Sequence, residues 1–136
     1  MTLTDRDTVS GNERMRAGRT GENLALCEYV DRGMTAVAVN WRAGNRGELD
    51  VVVFDPATDT LCVCEVKTRT ASSARNGAFS YPCESVGSRK IMKIKYSLKR
   101  FLAVHPEYSE KNIRFDVAEV YNIGGAYSVN IIEDAF

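Results

Sequence analysis

Two apolar runs joined by six turn-forming residues constrain this chain more than any other feature. Leu49-Asp50-Val51-Val52-Val53-Phe54 and Leu61-Cys62-Val63-Cys64-Glu65-Val66-Lys67 flank Asp55-Pro56-Ala57-Thr58-Asp59-Thr60, and runs rich in β-branched residues on either side of such a connector form a β-hairpin. On a strand, positions i and i+2 share a face, so Glu65 and Lys67 project side by side, as do Glu48 and Asp50 at the entry to the first run. Folding about the Ala57–Thr58 bond sets Asp50 opposite Glu65 and Glu48 opposite Lys67. Directly opposed side chains have Cβ atoms roughly 4.5–5.5 Å apart, so the two carboxylates meet on one face.

Carboxylates that close repel each other unless a cation lies between them. Carboxylate and water ligands suit hard divalent ions, which makes Mg²⁺ or Mn²⁺ the expected cofactor. Lys67 beside them would orient an attacking water and offset negative charge on an attacked phosphate. The alternative drawn from the same residues is structural: a Glu65–Lys67 ion pair on an edge strand, with Glu48 and Asp50 solvating a loop. Such exposed pairs are common and contribute little.

Around the hairpin, residues 1–12 are polar and without periodicity, and are expected to form a flexible tail to one domain spanning 13–136. A helix is expected from Glu13 to about Arg32, ending at Gly33. Gly18, Glu22, Ala25 and Tyr29 share one face of it, with Gly21 adjacent, so the helix can lie close on a sheet and carry Glu22 toward the acidic cluster. Met34 to Trp41 is the first strand, with Trp41 as a packing residue, followed by a turn over Ala43-Gly44-Asn45-Arg46-Gly47. Thr68 to Tyr81 breaks all periodicity and is expected as a loop able to close over a bound strand. From about Glu84 to Val104, Ile91, Ile94, Leu98, Phe101 and Leu102 form the core stripe of a second helix, beside a stripe of Lys90, Lys93, Ser97 and Arg100. Two further strands, Asn112–Val120 and Tyr127–Ile131, meet at Asn122-Ile123-Gly124-Gly125.

The 136 residues, 44% hydrophobic and 26% charged, suit one domain with one core. No run approaches the roughly 20 apolar residues of a membrane span, and the polar N-terminus lacks a signal core, so the chain is expected in the cytoplasm with no membrane partner. Cys27, Cys62, Cys64 and Cys83 form no CxxC pair, and His105, at a helix end, has no metal-binding companion, which argues against zinc. Cys62 and Cys64 should lie buried on the face opposite Glu65. Formal net charge is zero, with 18 basic and 18 acidic residues. The basic ones nevertheless crowd 89–100 and follow the motif strand at Arg69 and Arg75, a distribution that suits a polyanion held over an acidic pocket and equally a solvated helix face.

Asp50 followed by Glu65-Val66-Lys67 resembles the Asp…(Asp/Glu)-x-Lys signature of the PD-(D/E)xK nuclease superfamily. The wider set, Gly21-Glu22, Asn40-Trp41-Arg42, Gly47-Glu48-Leu49-Asp50, Glu65-Val66-Lys67-Thr68-Arg69 and Arg114-Phe115-Asp116, resembles the YraN-type bacterial proteins, similar to archaeal Holliday-junction resolvases, from about Glu13 to the C-terminus. Leu49 stands where a proline often precedes the aspartate. The elements read along the chain follow the order αβββαββ, and the resemblance implies an α/β, restriction-endonuclease-like core with a central mixed sheet flanked by helices. It implies a metal-dependent DNA endonuclease, with branched or junction DNA among its substrates. Asp50, Glu65, the Val66 carbonyl and Glu22 would hold the metal, Lys67 would position the water, and Glu48 would be an accessory group tuning Lys67. The charge distribution would have DNA held by Lys90, Lys93, Arg42, Arg69 and Arg75, with Arg46 near the mouth of the cluster and a solvent-facing role the alternative for Arg42 and Arg46. A nucleic-acid-binding or scaffold protein that keeps the nuclease fold without efficient catalysis is the competing expectation. The oligomeric state is open, a homodimer included.

Overall fold

The hairpin forms in the register expected of it. In the computed structural model, which describes residues 13–70 and 86–136, β1 (Thr35–Arg42) leads to β2 (Glu48–Asp55) and β3 (Thr60–Thr70). Strands β2 and β3 pair antiparallel with Val51 opposite Cys64, Val53 opposite Cys62 and Asp55 opposite Thr60. Asp55 closes the connector: its Oδ1 accepts the Ala57 N–H and its Oδ2 the Thr58 hydroxyl, each at 3.0 Å. That local bonding is why aspartate is favoured at the start of a turn.

Strand β4 (Asn112–Ile123) lies parallel to β3, and β5 (Ala126–Ile132) antiparallel to β4. The result is a five-stranded mixed sheet in the order β1-β2-β3-β4-β5. Helix α1 (Glu13–Asp31) precedes β1, and α2 (Ser88–Val104) lies between β3 and β4, where a parallel pair requires a crossover. The observed order αβββαββ is an α/β domain with helices on both faces, consistent with a restriction-endonuclease-like core. One apolar layer joins Ile94, Leu98 and Phe101 of α2 to Val52, Leu61, Val63 and Val117. The other joins Ala25 and Tyr29 of α1 to Val51, Val53, Cys62, Cys64 and Ala118. Both strand cysteines therefore lie opposite the α2 layer, as expected, and burial pushes the Cys62 thiol up to about 11. Trp41 packs edge-on against Phe101, ring centroids 5.2 Å apart.

Helix α1 stops at Gly33, whose φ of 96° is left-handed. The Met34 N–H bonds the Tyr29 carbonyl at 3.1 Å and the Gly33 N–H the Val30 carbonyl at 2.9 Å, a Schellman cap completed by Tyr29 and Met34 in one apolar cluster. At the other end of the sheet, Gly124 and Gly125 with φ of 61° and 86° make the two-residue turn between β4 and β5. Two consecutive positive φ values are what a type I′ hairpin turn demands.

Two strands and one helix depart from the expected boundaries. Strand β3 continues past Lys67 to Thr70, where a loop was expected from Thr68, and β4 runs to Ile123 instead of Val120. The cause is the long parallel ladder, unbroken from Thr60 with Asn112 to Thr70 with Asn122. Each strand satisfies the other's backbone groups, a gain that the polar triplet Thr68-Arg69-Thr70 does not announce. Helix α2 also starts later than the expected Glu84: Gly87 is extended and caps a first turn at Ser88. The expected tail, the loop from Ala71, and with them Arg75 and Cys83, lie outside the described residues.

Candidate active site

The hydrogen-bonded ladder between β2 and β3 stops at Val51 and Cys64, and the site begins there. Val51 and Val53 belong to the α1 layer, whereas Leu49 packs with Val52 in the α2 layer, so strict alternation slips at Asp50. Its carboxylate takes over from the backbone: Oδ2 accepts the Val66 N–H at 2.9 Å. Asp50 is thereby fixed to β3 beside Glu65, and both are nearly buried, at 7% and 5% exposure.

Lys67 follows Glu65 on the same face, its Nζ 3.8 Å from Glu65 Oε2. A second ammonium is closer, since Lys90 from α2 places its Nζ 3.4 Å from the same oxygen. From the opposite helix comes Glu22. Gly21 brings α1 against β3 so tightly that a methyl group there would overlap the Thr68 hydroxyl. The next residue, Glu22, then lies near enough for its charge to act on Asp50. Burial above all, then the Glu65 charge, and to a lesser degree Glu22, raise the Asp50 carboxyl from its ordinary value near 3.8 to about 8, against the lowering effects of the Val66 N–H and Lys90. Asp50 and Glu65, side by side and out of bulk water, with Glu22 close enough for its charge to reach Asp50, offer carboxylate oxygens of the kind a hard divalent cation takes.

Glu48 does not face Lys67. The strands part after Val51, and the nearer cation is Arg42, the cross-strand neighbour of Glu48 on β1, whose guanidinium lies 3.3 Å from Glu48 Oε1. Lys67 instead has Glu119 of β4 as its register partner. Ser97, expected on the basic stripe, is fully buried. The β1–β2 turn presses on α2 at this point, and a Cβ added to Gly47 would come within 2.7 Å of Ser97 Oγ. This contact brings two basic segments together, Arg42 at the end of β1 with Arg46 from the turn, and Lys90 with Lys93 from α2, around a cleft of about 250 Å³ that also exposes Glu48. Arg69 is not among the residues lining it. It lies on β3 with Tyr121 as register partner, and its charge acts on that phenol, which burial and the bond to Glu119 raise to about 12.

Two buried acids had no role assigned from the sequence, Asp116 being named there only within a motif block. Glu119, 5% exposed, accepts a bond from Asn130 Nδ2 at 3.4 Å. Its signal was a charge inside an apolar run, as at Glu65. Asp116 is fully buried and fastens three elements. It accepts the Tyr29 hydroxyl at 2.7 Å, the Arg114 guanidinium at 2.9 and 3.0 Å, and the Asp134 N–H at 2.9 Å. With every lone pair engaged, Asp116 is a structural tie that sets α1 on the sheet and thus the position of Glu22.

The model of the family described as Uncharacterised protein family UPF0102 matches residues 21–120, from the glycine at the helix–sheet contact to the last third of β4. The chain belongs to the UPF0102 family. A UPF0102 protein of Streptomyces coelicolor is 38% identical over 109 residues, covering 80% of this chain and 78% of that protein. One from Stutzerimonas stutzeri is 34% identical over 125 residues, covering 92% and 98%, and one from Caldicellulosiruptor bescii 33% over 123 residues, covering 89% and 97%. The span matched to UPF0102 contains Glu22, Asp50, Glu65, Lys67 and Lys90. No helix among the described residues is long and apolar enough to cross a membrane.

Proposed function

We propose that this UPF0102 chain is a Mg²⁺- or Mn²⁺-dependent endonuclease of PD-(D/E)xK type that hydrolyses DNA phosphodiesters, branched DNA included. The observation that carries the proposal is the pairing of buried Asp50 and Glu65 at the point where the β2–β3 ladder stops, with two lysines converging on Glu65. A carboxyl raised to about 8, by burial first and by the neighbouring Glu65 carboxylate second, is a costly arrangement for a purely structural site.

Asp50, Glu65 and the Val66 carbonyl would hold the metal, with Glu22 adding a carboxylate from α1. When bound, the divalent ion supplies Lewis-acid polarisation of the phosphodiester and makes water more acidic. The Val66 N–H keeps Asp50 in place, which preorganises the donors. Lys67, on the same strand face as Glu65, orients the attacking water and offsets charge building on the phosphate. The basic cleft formed by Arg42, Arg46, Lys90 and Lys93 supplies the electrostatic hold on the backbone despite zero net charge. Glu48, paired with Arg42, tempers that cleft in place of tuning Lys67.

The test is cleavage of plasmid and synthetic four-way-junction DNA in Mn²⁺, with EDTA as control. Cutting that requires metal and is lost in Glu65→Gln supports the enzyme. Binding without any cutting is the behaviour of a nucleic-acid-binding or scaffold relative that keeps the fold.

A further inference from the structure

We propose that Lys90 is an exchangeable counter-ion: its ammonium holds Glu65 until a divalent cation arrives, then turns into the adjoining cleft and takes a DNA phosphate. The proposal rests on the metal-dependent function above. Lys90 touches two places at once. Its Nζ is 3.4 Å from Glu65 Oε2, while its side chain lines the cleft shared with Arg42, Arg46 and Lys93. Glu65 Oε2 thus serves two ammoniums, and a dication added to the same carboxylate would be repelled by both. The one able to leave is Lys90. Its side chain is 43% exposed against 26% for Lys67, and its flexible four-carbon stem can move the charge without moving the helix. The destination is short of negative charge: of the residues lining the cleft, four are cationic and one, Glu48, is acidic, and that one is already paired with Arg42. A phosphate entering there would complete the balance that Lys90 loses at Glu65. Metal loading and substrate capture would then be coupled through one side chain.

The experiment titrates Mn²⁺ calorimetrically into the metal-free full chain as wild type, Lys90→Met, Lys90→Arg and Lys93→Met. Removing a unit charge a few ångströms from a dication should tighten Mn²⁺ binding by about tenfold in Lys90→Met. Lys90→Arg, which keeps the charge, should return to the wild-type affinity, and Lys93→Met, which lines the cleft without touching Glu65, should leave it unchanged. In a second arm, binding of a labelled duplex in Ca²⁺ is followed against salt. Lys90→Met and Lys93→Met should each lower the magnitude of the log–log slope by about 0.9. Equal or weaker Mn²⁺ binding by Lys90→Met, or an unchanged slope, overturns the exchange while leaving the nuclease reading intact. A wild type that takes up no Mn²⁺ overturns both.

Discussion

Asp50 is where stability without metal and affinity for metal oppose each other. A carboxyl raised from 3.8 to about 8 keeps a proton in the folded state that the unfolded chain releases near pH 4. Stability falls with rising pH wherever the native state binds more protons, so the metal-free protein should lose stability steadily between about pH 4 and pH 8. At about 1.36 kcal/mol for each pH unit separating the two states, the full loss is on the order of 5 kcal/mol. Asp50→Asn removes the charge but keeps an oxygen to accept the Val66 N–H. In urea denaturation with EDTA, wild type and variant should agree within about 1 kcal/mol at pH 4.5. By pH 8.5 the variant should be the more stable by several kcal/mol, or on the order of 10 °C in Tm for a chain of this size. The growth of the gap with pH is diagnostic, because any local packing difference is the same at both ends. Mn²⁺ at about 100 times its Kd should then stabilise the wild type by about 2.7 kcal/mol and leave the variant unmoved. Parallel pH curves would refute the electrostatic argument, and equal stabilisation by Mn²⁺ would remove Asp50 from the metal site.

Three further outcomes are expected. Lys67→Met keeps most of the stem and, at a partly exposed position, should change stability by no more than about 1 kcal/mol while abolishing cleavage; cutting at the wild-type rate would end its catalytic assignment. Gly21→Ala should lower Tm despite better helix propensity, because its methyl meets the Thr68 hydroxyl, and a second change, Thr68→Ala, should recover part of the loss; additive effects of the two would show that the contact is not the cause. Tyr29→Phe should cost about 1–2 kcal/mol in chemical denaturation, since Asp116 keeps Arg114 and the Asp134 N–H, and no measurable change would mean that this bond does not fasten α1.

Sequence alone determined the hairpin, its register as far as Val51, the alternation of its core residues from there on, and the αβββαββ order, because these follow from local periodicity and turn chemistry that neighbouring residues carry themselves. It also placed Asp50, Glu65 and Lys67 together, since a strand period of two and a short connector leave little freedom. What it did not determine depends on contacts between distant segments. The end of the β2–β3 ladder at Val51 and the capture of the Val66 N–H by Asp50 follow from how the strands part. The partner of Glu48 is Arg42, because β1 lies beside β2 and supplies the nearer charge. Most of all, the reach of Lys90 from α2 to Glu65 could not be read from a helix face that looks solvated in isolation. The contact exists because Gly47 lets the β1–β2 turn seat on Ser97 and Ile94 of α2 packs into the layer with Leu49 and Val63, which fixes that helix against the open end of the hairpin.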